Sequence, residues 1–273
     1  MAKPTIVVVP GTWHVPAHFD PVTKELESAG YTVVGVSLPG NSDEPYPNNP
    51  PNMQDDISAV RTTLLTQLET SNVLLITHSW GSIVGAAALT ALSTTARTAA
   101  NHTTSVVALI LISGFIVPPG LTSLEITGGK PLPQYLLSES GLSTLPFAGP
   151  GPFHLLYNDL APTEAAKAIH LLRPQSYACL TSQMPDQVAA IGDIPMSYLC
   201  CSEDHALPWE RQVGSIEGFR EKGVRVVRTL VARSGHSPFL SVPEATARFV
   251  RLVAGEGVET GFEELKADGS KPS

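Results

Sequence analysis

The tightest constraint on this chain is the run Val73-Leu74-Leu75-Ile76-Thr77-His78-Ser79-Trp80-Gly81-Ser82-Ile83-Val84-Gly85. An apolar, strand-like stretch ends in a few small polar residues, and an Ala- and Leu-rich helical stretch begins immediately after it. A buried strand that feeds directly into a helix needs a sharp turn. Such a turn lifts the side chain at its apex above the sheet edge. This is the layout of a nucleophile elbow, whose usual pattern is G-x-S-x-G. Here it reads Thr77-x-Ser79-x-Gly81. Small residues are required two before and two after the apex, because helix and neighbouring backbone come close there. Gly81 meets the requirement, whereas Thr77 is bulkier. The competing reading of Ser79 is a helix cap after a buried strand, so the rest of the chain must supply the partners that a nucleophile needs.

The elements around this stretch alternate. Ile6 to Val9 is a continuous β-branched run, expected for a strand covered on both faces. Pro10-Gly11-Thr12-Trp13-His14 follows as a loop, then a helix from Pro21 to Ala29 that stops at Gly30. A second strand, Thr32 to Ser37, ends at Pro39-Gly40, and residues 41–52 form a Pro/Asn-rich loop. Met53, Ile57, Val60, Leu64 and Leu68 recur at helical spacing behind Asp55 and Asp56, which predicts a helix with acids in its first turn. The elbow helix runs to about Leu92, and Ser93 to Thr104 reads as a surface extension. Further strands are predicted at Val106–Ile112, Met196–Cys201 and Val224–Leu230, with helices near Trp209–Glu221 and Pro243–Val253. The expected fold is therefore α/β: a mostly parallel sheet of about six strands with helices on both faces.

Residues 117–194 break the rhythm. They are Pro-dense, hold no convincing strand, and contain short helix-like pieces such as Pro162 to Leu172. An insertion after the C-terminal end of a strand lies where open α/β sheets bind ligands, so it reads as a helical cap or lid. The expected organisation is a core from residues 1–116 and 195–254, the insertion 117–194, and a polar, disordered tail 255–273.

Composition narrows the function. The chain has 273 residues, 42% of them apolar, and a net charge of −8. The tail from Gly255 holds five acids against two lysines, so it supplies −3 of that charge and the body −5. No Lys/Arg cluster is present to neutralise phosphates, which argues against nucleic acid as a partner. Cys200 and Cys201 are adjacent in a strand-like run and so point to opposite faces, which with Cys179 suggests reduced thiols in a cytoplasmic compartment. No apolar run has the length of a signal peptide core or of a membrane span. The histidines show no metal-binding spacing, and no glycine-rich nucleotide-binding pattern occurs, so no cofactor is implied.

A serine hydroxyl becomes a nucleophile only when a base removes its proton and a carboxylate orients that base. Two loops downstream of Ser79 follow strands and so open on the same sheet edge. One is Cys201-Ser202-Glu203-Asp204-His205-Ala206-Leu207-Pro208; the other is Arg233-Ser234-Gly235-His236-Ser237-Pro238. Asp204, with Glu203 as its rival, and His236 are the candidate acid and base.

With these motifs in fixed order, the body from Ile6 to about Val253 resembles the α/β-hydrolase superfamily. It is most similar to the small, capped esterases related to plant methyl-ester esterases and hydroxynitrile lyases. The resemblance implies a catalytic triad of Ser79, Asp204 and His236 and an oxyanion hole from the backbone amides of Thr12 and Trp80. It departs from the common pattern at Pro10, where His usually precedes the glycine. Gly11, Trp13 and His14 are candidate substrate contacts, with packing as the alternative role for the two larger residues. His78 reads as a packing residue.

The expected function is hydrolysis of an ester-like bond in a small, mostly apolar molecule through an acyl-enzyme. Rivals are cleavage of a C–C bond beside a carbonyl and a non-catalytic ligand receptor. A hydroxynitrile lyase is disfavoured because Ser237 stands where those relatives carry Lys. The partner is a small-molecule substrate, and homodimerisation is left open.

Overall fold

The computed structural model describes residues 2–132, 135–145 and 151–272. Its strands, in chain order, are β1 (Thr5–Val9), β2 (Val33–Gly35), β3 (Val73–His78), β4 (Val106–Ile112), β5 (Leu136–Leu137), β6 (Ser143–Leu145), β7 (Gln175–Ser176), β8 (Met196–Cys201), β9 (Val226–Ala232) and β10 (Glu263–Glu264). A seven-stranded sheet has the order β10-β9-β8-β4-β3-β1-β2. All its pairings are parallel except that of β10 with β9.

The sheet is buried on both faces, as the β-branched runs predict. Val7, Val9, Leu75, Leu109, Tyr198 and Cys200 turn to one face, where they meet Val60 and Leu64 of the Met53–Gln67 helix, Ile83 and Val84 of the elbow helix, and Ile216 and Phe219 of the Trp209–Glu221 helix. Ile6, Val8, Leu74, Ile76, Ile110 and Cys201 turn to the other, against Val22 and Leu26 of the Asp20–Ser28 helix and Phe249 and Val250 of the Pro243–Val253 helix. The strict alternation follows from the two-residue period of a strand. It sends Cys200 and Cys201 to opposite faces, and all three cysteines are free and buried. Among the described residues no helix is long and apolar enough to cross a membrane.

Two differences from the sequence reading concern short strands. Residues 117–194 carry helices at Gly151–Leu156 and Pro162–Leu171, but also a three-stranded antiparallel sheet in the order β5-β6-β7. Strands of two or three residues are too short to show alternation, so the Pro-dense segment appears strandless in sequence. The tail, expected to be disordered, supplies the seventh strand of the main sheet. Glu263 and Glu264 pair with Val231 and Leu230, and the Trp209 indole donates to the Gly269 carbonyl at 3.0 Å. Phe262 and Leu265 flank the acidic pair and pack on opposite faces of the sheet. Those two apolar residues were the available signal; the surrounding acids masked it.

Candidate active site

Ser79 stands at the apex between β3 and the Gly81–Ala87 helix with φ +50°. A non-glycine residue in that region is strained by about 1–3 kcal/mol and persists only where its surroundings enforce it. Here they do. The Ser79 amide donates to the Ile112 carbonyl of β4 at 3.1 Å, and the Ser79 carbonyl accepts from the Ser82 amide at 2.9 Å. A Cβ at position 81 would lie 2.5 Å from the Pro10 carbonyl oxygen, so only glycine fits where the helix crosses the loop after β1. The bulk of Thr77 is accommodated by a second glycine: a Cβ on Gly85 would collide with Thr77 Cγ2. The Thr77 hydroxyl donates to the Ile110 carbonyl at 3.2 Å, so it is satisfied within the sheet. Ser79 is partly exposed while His78 and Trp80 on either side are buried.

The loops after β8 and β9 bring Asp204 and His236 together. Asp204 Oδ2 lies 2.7 Å from His236 Nδ1, and the residues are only 8% and 3% exposed. The other carboxylate oxygen, Oδ1, accepts from the Ala206 and Leu207 amides, both at 2.8 Å. Those two bonds fix the carboxylate, which in turn holds the proton on Nδ1 and leaves the lone pair on Nε2. Glu203, the rival acid, points outward to Arg233, which is 92% exposed, at 3.1 Å. The His236 carbonyl accepts from His78 Nε2 at 3.0 Å, and the two rings are 4.6 Å apart. His78 immediately precedes Ser79, so His236 is tied to the elbow through its own backbone.

The loop after β1 closes this group. A Cβ on Gly11 would sit 2.9 Å from both Ser79 Cβ and His78 Nδ1, so the loop's backbone rests directly against the elbow. Among the described residues neither the Thr12 nor the Trp80 backbone N–H donates to another protein group, although both residues are buried. Trp13 has φ +63°. Its indole donates to the Thr144 carbonyl of β6 at 3.0 Å, and its carbonyl accepts from the Arg173 amide at 2.9 Å. His14 Nδ1 donates to the Thr12 carbonyl at 2.9 Å, and its Nε2 faces the Tyr157 hydroxyl at 3.1 Å. Since a carbonyl only accepts, Nδ1 carries the proton and Nε2 accepts from Tyr157. Both Trp13 and His14 therefore meet protein groups with their polar atoms.

A line of imidazoles runs beneath the loop: the His18 and His14 rings are 4.6 Å apart, and those of His14 and His78 are 5.1 Å apart. Burial, then the neighbouring His18, holds His14 well below the usual histidine range; burial, then His236 and His14, does the same to His78. Burial also lowers His18, whose Nε2 donates to the Ala168 carbonyl at 3.0 Å. All three are thus neutral struts, and for His14 and for His78 a single backbone carbonyl in each case sets the tautomer.

Several residues that hold this arrangement were not singled out in the sequence. Asp159 accepts from the Gly235 amide beside His236 at 2.7 Å, and Asn158 donates to the Glu203 carbonyl beside Asp204 at 3.0 Å. A Cβ on Gly235 would strike Asn158 Oδ1, so that glycine permits the approach. Asn41 follows Pro39-Gly40 after β2 and donates to the Gly11 and His14 carbonyls at 2.8 and 2.9 Å. Its only sequence signal was its place at the end of a strand bound for the same edge.

Residues 6–249 match the model of the alpha/beta hydrolase family. The chain is 30% identical over 262 residues to an alpha/beta hydrolase of Aspergillus novofumigatus (strain IBT 16806), across 95% of this chain and 100% of that one. Its fold is similar to that of a pyrethroid hydrolase from Sphingobium faniae JZ-2, with a TM-score of 0.67, 19% identity and coverage of 94% of this chain and 99% of that one. It is also similar to a methylesterase from Arabidopsis, with a TM-score of 0.63, 19% identity and coverage of 92% and 99%. With a sheet of this order, an elbow serine at its edge and a match that spans nearly the whole chain, this protein belongs to the alpha/beta hydrolase family and is an α/β-hydrolase enzyme.

Proposed function

We propose that this α/β-hydrolase is a serine esterase that cleaves a small, mostly apolar ester through an acyl-enzyme. The observation that carries the reading is the buried 2.7 Å contact between Asp204 and His236, tied through His78 to the strained elbow of Ser79. With Nδ1–H donated to Asp204, His236 Nε2 takes the Ser79 proton as the hydroxyl oxygen attacks the ester carbonyl. The developing oxyanion is met by the Thr12 and Trp80 amides, each worth about 3 kcal/mol. As the tetrahedral intermediate collapses, the C–O bond to the alcohol breaks and His236 returns the proton to the leaving oxygen. Water, activated by the same imidazole, then attacks the acyl carbonyl and releases the acid and free Ser79.

Residues 117–194 act in this reading as a cap that shapes the substrate site. Hydrogen bonds support that role: Thr144 and Asp159 accept from Trp13 and Gly235, and Asn158 donates to the Glu203 carbonyl. The esterase name of the Arabidopsis neighbour is consistent with the bond class. A fluorophosphonate probe should label Ser79, and an ester panel should then reveal turnover of short apolar esters. Absence of label at Ser79 in folded protein would sink the serine mechanism. Labelling without turnover of any ester would shift the reading to C–C bond cleavage beside a carbonyl.

A further inference from the structure

We infer that Asn41 is a positioning residue that aims the Thr12 amide at the reacting oxygen, so that the loop after β2 supports an oxyanion site formed by the loops after β1 and β3. The inference rests on the serine-esterase reading above. Asn41 is 6% exposed, and its backbone is anchored by its own amide to the Leu38 carbonyl at 3.0 Å. One side-chain atom faces two carbonyl oxygens, those of Gly11 at 2.8 Å and His14 at 2.9 Å, so that atom is the amide nitrogen. The side-chain oxygen faces the Trp13 amide at 3.4 Å.

The Gly11 carbonyl and the Thr12 N–H belong to one peptide plane. In a trans peptide these two groups point in opposite directions, and the plane rotates as a unit. Holding the carbonyl end at 2.8 Å therefore fixes the direction of the N–H end, which no protein group among the described residues holds. The plane lies directly against the nucleophile, since a Cβ on Gly11 would be 2.9 Å from Ser79 Cβ. The same side chain braces the next turn of the loop, where Trp13 sits at φ +63°. A bulky residue in that conformation keeps it only when its neighbours over-determine it. Asn suits the position because its NH2 group offers two donors; an aspartate of the same shape offers none and would face two carbonyl oxygens.

The test compares wild type with Asn41→Asp and Asn41→Ala. Asn41→Ala covers the case in which the new buried carboxylate of Asn41→Asp prevents folding. The readouts are kcat and KM on a p-nitrophenyl ester, the inhibition constant of a trifluoromethyl ketone that forms a tetrahedral adduct, and a crystal structure of the variant. A misaimed amide should lower kcat by about 10- to 100-fold with KM within about threefold, and weaken the ketone by a similar factor. The Gly11–Thr12 peptide should be rotated. A folded variant with wild-type kcat, or one whose kcat falls while ketone affinity stays unchanged, overturns the inference. Failure of the esterase reading looks different: wild type itself neither labels at Ser79 nor binds the ketone. The peptide orientation in the variant's crystal structure still decides the role of Asn41 in that case, rotation supporting it and an unmoved peptide refuting it.

Discussion

Val7 on β1 lies opposite Leu75 on β3, within a cluster of apolar side chains. A few residues along the same two strands, Gly11 lies against His78 and Ser79, and the contacts become polar: imidazoles on carbonyls, an amide bridging two loops, an indole donating to a backbone oxygen. The sheet interior relies on area removed from water, which is non-directional and tolerant of volume-conserving change. The loop edge relies on hydrogen bonds with fixed donors and acceptors, each of which costs far more to leave unmade than it contributes when made. The two regions should therefore respond differently to substitution: the interior in stability, the edge in chemistry.

The largest effect belongs to the edge. Ser79→Ala should cut kcat by about 10⁶-fold in a steady-state assay while its thermal midpoint stays near wild type. Retained turnover in that variant would break both the triad and the contrast. Next comes Asp204→Asn, expected to lower kcat by about 10⁴-fold because it frees the imidazole to take the wrong tautomer. Glu203→Gln, at the surface, should fall within about twofold of wild type. A Glu203 variant more damaged than the Asp204 variant would reverse the assignment.

Interior changes should register in unfolding curves instead. Leu75→Ala should cost about 2–5 kcal/mol in urea melts and leave kcat of the folded fraction nearly unchanged. Gly85→Ala sharpens the comparison, because it lies where interior and elbow meet. The new methyl would collide with Thr77 Cγ2, at an expected cost of about 1–3 kcal/mol. Adding Thr77→Gly should restore most of that loss, and additive melts for the pair would show that the two sites do not touch.

Near neutrality the smallest effects are those of pH, and the buried histidines and a buried acid pull in opposite directions. His14, His18 and His78 are held below 6.5, so above that pH they are neutral in both states and their contribution is complete. As pH falls below 6.5 the unfolded chain takes protons that the folded one refuses, and stability drops. Asp56, buried beneath Gly40 and raised by burial from 3.8 to about 7, behaves the other way: its contribution is complete below 3.8 and is lost as pH rises through about 7. Urea melts from pH 5 to 8 should show an acid limb that flattens in His18→Asn. Asp56→Asn should show a stability gain that grows up to about pH 7 and then levels off. An unchanged acid limb in the histidine variant would mean that the imidazole line is not titrating as described.

The regular part of this molecule was legible in the sequence because it depends on local period. Met53–Leu68 announces a helix by its spacing, Ile6–Val9 and Val73–Thr77 announce buried strands as short continuous apolar runs, and the alternation of elements implies a parallel sheet. Ser79, Asp204 and His236 were legible as candidates for a related reason: each follows a strand, and parallel strands deliver their C-terminal loops to one edge. The tail and the β5-β6-β7 sheet were not legible, since strands of two or three residues carry no period and their partners lie far away in the chain. The resemblance favoured Asp204 over Glu203, and the tertiary structure supplied the geometry, because adjacent residues leave a strand in different directions and just one faces His236. The tertiary structure alone set Gly85 beside Thr77 and Asn41 beside Gly11, 30 residues apart. The Asn41–Gly11 pairing depends on how loops from different strands meet in space, and no local preference of the chain encodes that meeting.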